Sequence, residues 1–144
     1  MKFSGIEAAA EWLAIANDDF ELAEECIEKK PRIACYLSQQ TAEKAIKALY
    51  VANNLTFEFI HAIGTLLDGL KGTYPELSEV RSHASTLTAY EATTRYMDFE
   101  TGANPLKEYT REDAETAVKM AENILRLCEN IYGGLVRKGP MKNR

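Results

Sequence analysis

The sequence predicts an all-α fold, an antiparallel four- or five-helix up-and-down bundle, and three observations carry that expectation. Apolar residues recur at alternating steps of three and four over several long stretches, the spacing that lays one stripe of a helix on a core. Short connections containing Pro, Gly or Asn join the stretches, which favours antiparallel packing at shallow crossing angles. No strand-like alternation of useful length occurs anywhere. At 144 residues, 46% hydrophobic and 27% charged, the chain has the length and composition of one globular domain with its own core.

The first helix is expected from about Glu7 to Lys29. Ser4 and Glu7 have capping-box spacing, in which each side chain satisfies a backbone N–H left free at the helix start. Leu13, Ala16, Phe20, Ala23 and Ile27 form its apolar stripe, with acidic residues over most of the other face. Lys29-Lys30-Pro31 ends it, because bases suit the negative end of the helix dipole and proline suits a first turn. The second helix runs from Arg32 to about Asn53 on a stripe of Cys35, Gln39, Ala42, Ile46 and Leu49, with Asn53-Asn54 as the stop.

Leu55 to His61 reads as a loop whose Phe57, Phe59 and Ile60 tuck against the bundle. A short helix follows from about Ala62 to Leu70, then a break at Lys71-Gly72-Thr73-Tyr74-Pro75. Leu77, Val80, Ala84 and Leu87 mark a fourth helix to roughly Thr93. Asp98 to Tyr109, with Gly102, Asn104 and Pro105, reads as an irregular crossing loop. Thr110 is a good N-cap for the last helix, with Glu112 and Asp113 in its first turn. Ala114, Ala117, Ala121, Ile124, Cys128, Ile131 and Leu135 keep the three-four rhythm there, and Gly133-Gly134 is expected to fray the end. The domain is thus expected over residues 1–136, with 137–144 as a basic, disordered tail.

Charge and composition exclude several functions. A formal charge of −5 and a pI near 5.1 do not suit a general DNA-coating protein. No stretch approaches the roughly 20 apolar residues that span a bilayer. The opening Met1-Lys2-Phe3-Ser4-Gly5 lacks the pattern of a signal peptide, so a cytoplasmic chain without membrane contact is expected. Cys26, Cys35 and Cys128 are widely spaced within helical patterns and read as buried thiols of a reducing compartment. Glu58-Phe59-Ile60-His61 has the Glu-x-x-His spacing of di-metal bundles once only. Glu79 and His83 lie four apart, not three, so a second motif is missing and no metal is expected.

Within the second helix, Tyr36, Gln40, Glu43, Lys44 and Lys47 share one face beside the apolar stripe. Two readings fit them. One is a solvated face with Glu43–Lys47 as an i,i+4 pair; the other is a binding face, where two lysines and an amide meet a phosphate and a base.

Several segments resemble the HEPN domain family. Trp12-Leu13-Ala14-Ile15-Ala16-Asn17-Asp18-Asp19-Phe20 resembles its opening, an apolar pair, a small residue, then Asp before a large apolar residue. Ser38-Gln39-Gln40-Thr41-Ala42-Glu43-Lys44-Ala45-Ile46-Lys47-Ala48-Leu49 is strongly similar to its "QQAAEKALKAL" helix. His61 ahead of Leu66-Leu67 looks like the family's histidine before its third helix, with Ala62-Ile63 in place of Asp-Leu. Tyr90 with Thr94-Arg95-Tyr96 is similar to the Tyr…Ala-Arg-Tyr-Pro signature, with Met97 in place of proline. Thr110-Arg111-Glu112-Asp113-Ala114 matches the start of the last helix.

The resemblance implies a four- or five-helix bundle, often homodimeric. In one branch it stands beside a small nucleotidyltransferase, with nucleotide binding inferred. Other members are RNA-cleaving toxins whose site is an Arg followed, after four to six residues, by His. Arg would stabilise phosphorane charge and His would exchange a proton near neutral pH. Here Arg81 precedes His83 by two positions, on different helix faces, and no His follows Arg95. The expectation is therefore a module without catalytic residues that binds a nucleotide such as ATP, or partners a nucleotidyltransferase in a toxin–antitoxin-like pair. The resemblance makes Gln40, Lys44, Lys47, Arg95 and Tyr96 the candidate nucleotide-binding residues, with Asp19 and His61 in support. Arg95 as an ion-pair partner of Asp19, and Tyr96 as core cover, are the structural alternatives. An RNA-cleaving toxin with a degenerate site, or a purely structural dimeric interaction module, is the alternative function.

Overall fold

In the computed structural model the chain is described over residues 4–57, 62–95 and 109–138, with 91–95 as helix backbone only. Five α-helices occupy these residues: α1 (Gly5–Cys26), α2 (Pro31–Ala52), α3 (Ile63–Asp68), α4 (Arg81–Arg95) and α5 (Arg111–Lys138). They pack up-and-down, and the described residues contain no strand. None of these helices is long and apolar enough to cross a membrane.

The termini form as local chemistry dictates. Ser4 Oγ accepts from the Glu7 amide at 3.1 Å and Glu7 accepts from the Ser4 amide at 3.5 Å, closing the capping box of α1. Thr110 and Asp113 make the same reciprocal pair, at 3.1 and 3.0 Å, for α5. At the end of α2, Asn54 has a φ of 57°, the left-handed region that asparagine tolerates. The Leu55 amide then reaches the Tyr50 carbonyl at 2.9 Å and the Asn54 amide reaches Val51 at 3.0 Å, the two bonds of a Schellman stop.

Contacts at both ends fix the antiparallel register of α1. Tyr132 donates to the Ile6 carbonyl at 2.9 Å, while Arg111 pairs with Glu28 at 2.5 Å at the opposite end. Gly5 meets α2 so closely that an added Cβ would collide with the backbone carbonyl of Val51. Gly5→Ala is therefore expected to lower stability by about 1–3 kcal/mol, because backbone cannot yield as a flexible side chain can. Urea unfolding followed by circular dichroism checks this.

α2 is the central element, packed against α1, α3, α4 and α5. That position corrects one expectation. Glu43 and Lys47, read as members of an outward stripe, are 5% and 8% exposed, because α1 and the chain after α2 cover them. A second correction concerns Gly133-Gly134, which do not fray α5; the helix continues to Lys138. Ile131, Tyr132 and Leu135 pack against the core around the glycines. That burial outweighs the roughly 1 kcal/mol by which each glycine disfavours helix. The segment Pro75–Val80 is a 3₁₀ turn, not the first turns of α4. Its Leu77 and Val80, three apart, still reach the core, as do Ala84 and Leu87.

Arg81 ties α3 to α4 through Asp68, with Nε at 2.8 Å and Nη2 at 3.1 Å. Those hydrogen bonds, reinforced by Lys71, hold the Asp68 carboxyl down at about 2. A depressed carboxyl contributes stability above its unfolded pKa and loses it as pH falls towards the folded one. The clamp is thus expected to hold above pH ~4 and to fail between roughly pH 4 and 2. Asp68→Asn should flatten the acid side of the melting-temperature profile in that window.

Candidate functional site

The candidate site grows from α2, whose polar side chains at spacings of one and four bond to each other and to α1. Gln40 Nε2 donates to Gln39 Oε1 at 2.6 Å and Gln39 Nε2 to Glu43 Oε1 at 2.9 Å. Lys47 Nζ donates to Glu43 Oε2 at 2.7 Å. No buried side-chain polar atom among the described residues lacks a partner, the condition under which such a network rigidifies a core. The expected i,i+4 pair of Glu43 and Lys47 forms, but inside the bundle.

An aromatic cluster seals the outer end of this network. The Lys47 ammonium lies 5.1 Å over the Phe57 ring, a cation–π contact. Phe57 meets Trp12 edge-on at 5.7 Å and stacks on Tyr50 at 5.9 Å. Phe57 thus packs against the bundle as its loop position suggests. Phe59, Ile60, Glu58 and His61 lie outside the described residues.

Lys44 is placed differently. Its ammonium donates to Asp19 of α1 at 2.5 Å, and the two side chains keep 27% and 19% of their exposure. Beside it a cavity of about 310 Å³ opens between α1 and α2, lined by Glu11, Trp12, Ile15 and Lys44. Of the two candidate lysines, Lys44 has its head at a cavity rim, while Lys47 is enclosed by Glu43 and Phe57. Asp19 is held by Lys44; its expected pairing with Arg95 involves a side chain outside the described residues. Arg95 is described as backbone at the end of α4, and Tyr96 lies outside the described residues.

Glu11, Trp12, Ile15, Gln39 and Phe57 join the site without having been singled out for it. The register that sets Asp19 against Lys44 puts Trp12 and Ile15 at the same edge, and that register is a property of the packed pair of helices.

Arg81 and His83 point apart, as their spacing requires. Arg81 is engaged with Asp68 and Ser85. His83 instead faces α5, 3.4 Å from Asn123, in a cavity of about 470 Å³ shared with Glu115, Thr116, Lys119 and Met120. No Arg lines it. Among the described residues no group of three or more His, Cys, Asp or Glu side chains could hold a metal ion.

The cysteines are free thiols; Cys35 and Cys128 are buried and Cys26 is half-buried. Burial, with Asp113 nearby, pushes the Cys35 thiol up to about 12, and burial raises Cys128 as well. Both stay protonated and unreactive near neutral pH. Brief alkylation of the folded protein should therefore modify Cys26 alone, and all three after unfolding, as read by intact mass.

Comparison with known proteins gives a consistent answer. The family model for the HEPN domain matches residues 9–131. A Methanocaldococcus jannaschii protein named "Putative toxin MJ1304" is 29% identical over 135 residues, 87% of this chain and 88% of that protein. A crystal structure of a Thermus thermophilus protein superposes with a TM-score of 0.78 at 30% identity, covering 85% of this chain and 96% of that one. An archaeal HEPN homologue follows at 0.72 and 29% identity, covering 86% and 97%. A HEPN domain protein of Thermotoga maritima gives 0.68 at 28% identity, covering 85% and 98%.

Proposed function

This chain belongs to the HEPN domain family, and on that premise we propose that it is the toxin-like member of a two-protein pair. In this reading it acts on RNA through a degenerate HEPN site and is held in check by a small nucleotidyltransferase. The observation that carries the reading is the end-to-end match to a protein named as a toxin, 87% of this chain against 88% of that one. That match shifts the weight from a purely non-catalytic module towards a toxin-like role.

Cleavage of RNA needs a base for the attacking hydroxyl, an acid for the leaving oxygen and a cation for the charge on the phosphorane. Arg95, with Tyr96 beside it in sequence, is the cation in this proposal. No His follows Arg95 in the chain, and Arg81 with His83 cannot substitute, since each is turned to a different neighbour. Proton transfer then falls to water, and turnover is slow.

The test is incubation of the purified protein with structured RNA. Slow cleavage is expected, abolished in Arg95→Ala at an unchanged melting temperature. Absence of both binding and cleavage would refute the reading.

A second reading, a non-catalytic module that binds a nucleotide such as ATP through Lys44 with Gln40 beside it on α2, is favoured by one observation. The Lys44 head stands at the rim of the Trp12 cavity, where a phosphate and a base would find a cation and a ring. Calorimetric titration with ATP separates the two: heat that disappears in Lys44→Ala, without RNA cleavage, would establish the second reading over the first. Both readings include a homodimer, and a monomer mass in light scattering at micromolar concentration would contradict that part.

A further inference from the structure

Most of the outward face of α1 is left uncovered by the other described elements. Glu11, Ile15, Asp18, Leu22 and Glu25 follow at steps of four, three, four and three, so they form one straight stripe, and all five are exposed. Two large aliphatic side chains stand in it one heptad apart, Ile15 at 48% and Leu22 at 47% exposure. Isoleucine has no advantage at a water-facing helix position, where β-branching lowers helix propensity.

The charge that α1 itself carries has one sign. α1 carries seven carboxylates and no Lys, Arg or His. Asp19 is answered by Lys44 and Glu7 by the capping box, whereas Glu11, Asp18, Glu21, Glu24 and Glu25 make no ion pair with a described residue. Asp18, Glu21 and Glu25 are neighbours at steps of three and four, where like charges repel. Glu24 and Glu25 also sit in the last turn, at the negative end of the helix dipole. The free helix therefore holds a repulsion that a cationic partner relieves. Beside Ile15 the stripe opens into the cavity of about 310 Å³ formed with Glu11, Trp12 and Lys44, room for a buried anchor side chain.

We infer that this face docks a basic amphipathic helix of a protein partner, about four turns long to match the stripe. Its aliphatic side chains cover Ile15 and Leu22 and fill the Trp12 cavity, and its Lys and Arg side chains face Glu11, Asp18, Glu21 and Glu25. A second copy of this chain laid on the same face by a two-fold axis would set carboxylate against carboxylate, so the occupant is a basic segment. The inference rests on the reading that the chain works with a protein partner, and not on what chemistry that partner performs.

Trp12 is the only tryptophan of the chain, so its emission reports directly on the cavity. The probe is a synthetic amphipathic peptide of Lys and Leu without aromatic residues, titrated into the full-length protein beside an acidic counterpart with Glu for Lys. A saturable blue shift is expected with the basic peptide only. Affinity should fall about tenfold or more in Ile15→Asp/Leu22→Asp, and comparably in Glu21→Lys/Glu25→Lys. The second variant should also melt higher than the parent, since it removes the repulsion.

Tighter binding to Ile15→Asp/Leu22→Asp, which adds negative charge, would reveal unspecific attraction and overturn the inference, as would the lack of any shift in Trp12 emission. Conversion of a dimer to a monomer by the same substitutions would assign the face to a second copy and overturn it equally. RNA cleavage does not enter this experiment, so failure here and failure of the proposed RNA activity are distinguishable.

Discussion

Replacing Lys47 by methionine is expected to lower the stability of the domain by about 3–5 kcal/mol, because it removes the ammonium from a buried ion pair with Glu43. The two side chains are only 10% and 7% exposed and 2.7 Å apart, so water cannot take over from the ammonium. For a domain of this size the loss corresponds to a melting temperature lower by roughly 10–15 °C. The double variant Glu43→Leu/Lys47→Met removes both charges of the pair and should recover part of the loss, since a buried pair replaced by apolar residues is often near neutral. A residual deficit of about 1–3 kcal/mol is expected from Gln39, whose amide loses the carboxylate it donates to. Denaturant unfolding of the single and double variants measures the coupling.

Phe20→Ala is expected to cost about 3–5 kcal/mol, the range for deleting a buried phenyl ring. Phe20 is 4% exposed and lies under the Arg126 guanidinium of α5 at 5.3 Å. Arg126 in turn bonds Asn17 at 3.2 Å and Glu129 at 2.8 Å, and Asn17 reaches Glu129 at 2.8 Å. The ring is therefore the apolar floor of the polar contacts that hold α1 to α5. Hydrogen exchange should show lost protection concentrated in α1 and the facing part of α5. Phe20→Leu, which keeps most of the volume, should show a much smaller loss in both measurements.

The elements that were legible in the sequence are those whose pattern is decided locally. The capping box at Ser4 and Glu7, the cap at Thr110 and the asparagine stop at Asn53-Asn54 are short-range motifs, and each forms where its residues stand. The apolar rhythm of α1, α2 and α5 survives because one stripe per helix is enough to define it. Gly133-Gly134 was misleading because intrinsic propensity is a weak term beside the packing of Ile131, Tyr132 and Leu135.

The candidate site was legible only in part, for a different reason. A helix that is covered on most sides looks amphipathic in isolation if its second buried face is polar and self-satisfied. Gln39, Glu43 and Lys47 make such a face, and only the packed positions of Trp12 and Phe57 reveal it. Lys44 kept the surface character expected of it, yet its partner Asp19 lies 25 residues earlier in sequence, and that separation sets no local signal. Of the remaining candidates, His61 and Tyr96 lie outside the described residues, and Arg95 is described only as helix backbone.

The most direct measurement of the toxin-like reading is growth of a bacterial host in which this chain is induced, alone or with a small nucleotidyltransferase as candidate partner. Arrest is expected on induction alone, with relief on co-expression and milder arrest for Arg95→Ala produced at the same level. Unimpaired growth with soluble, folded protein present would contradict that reading, as would arrest that co-expression leaves untouched.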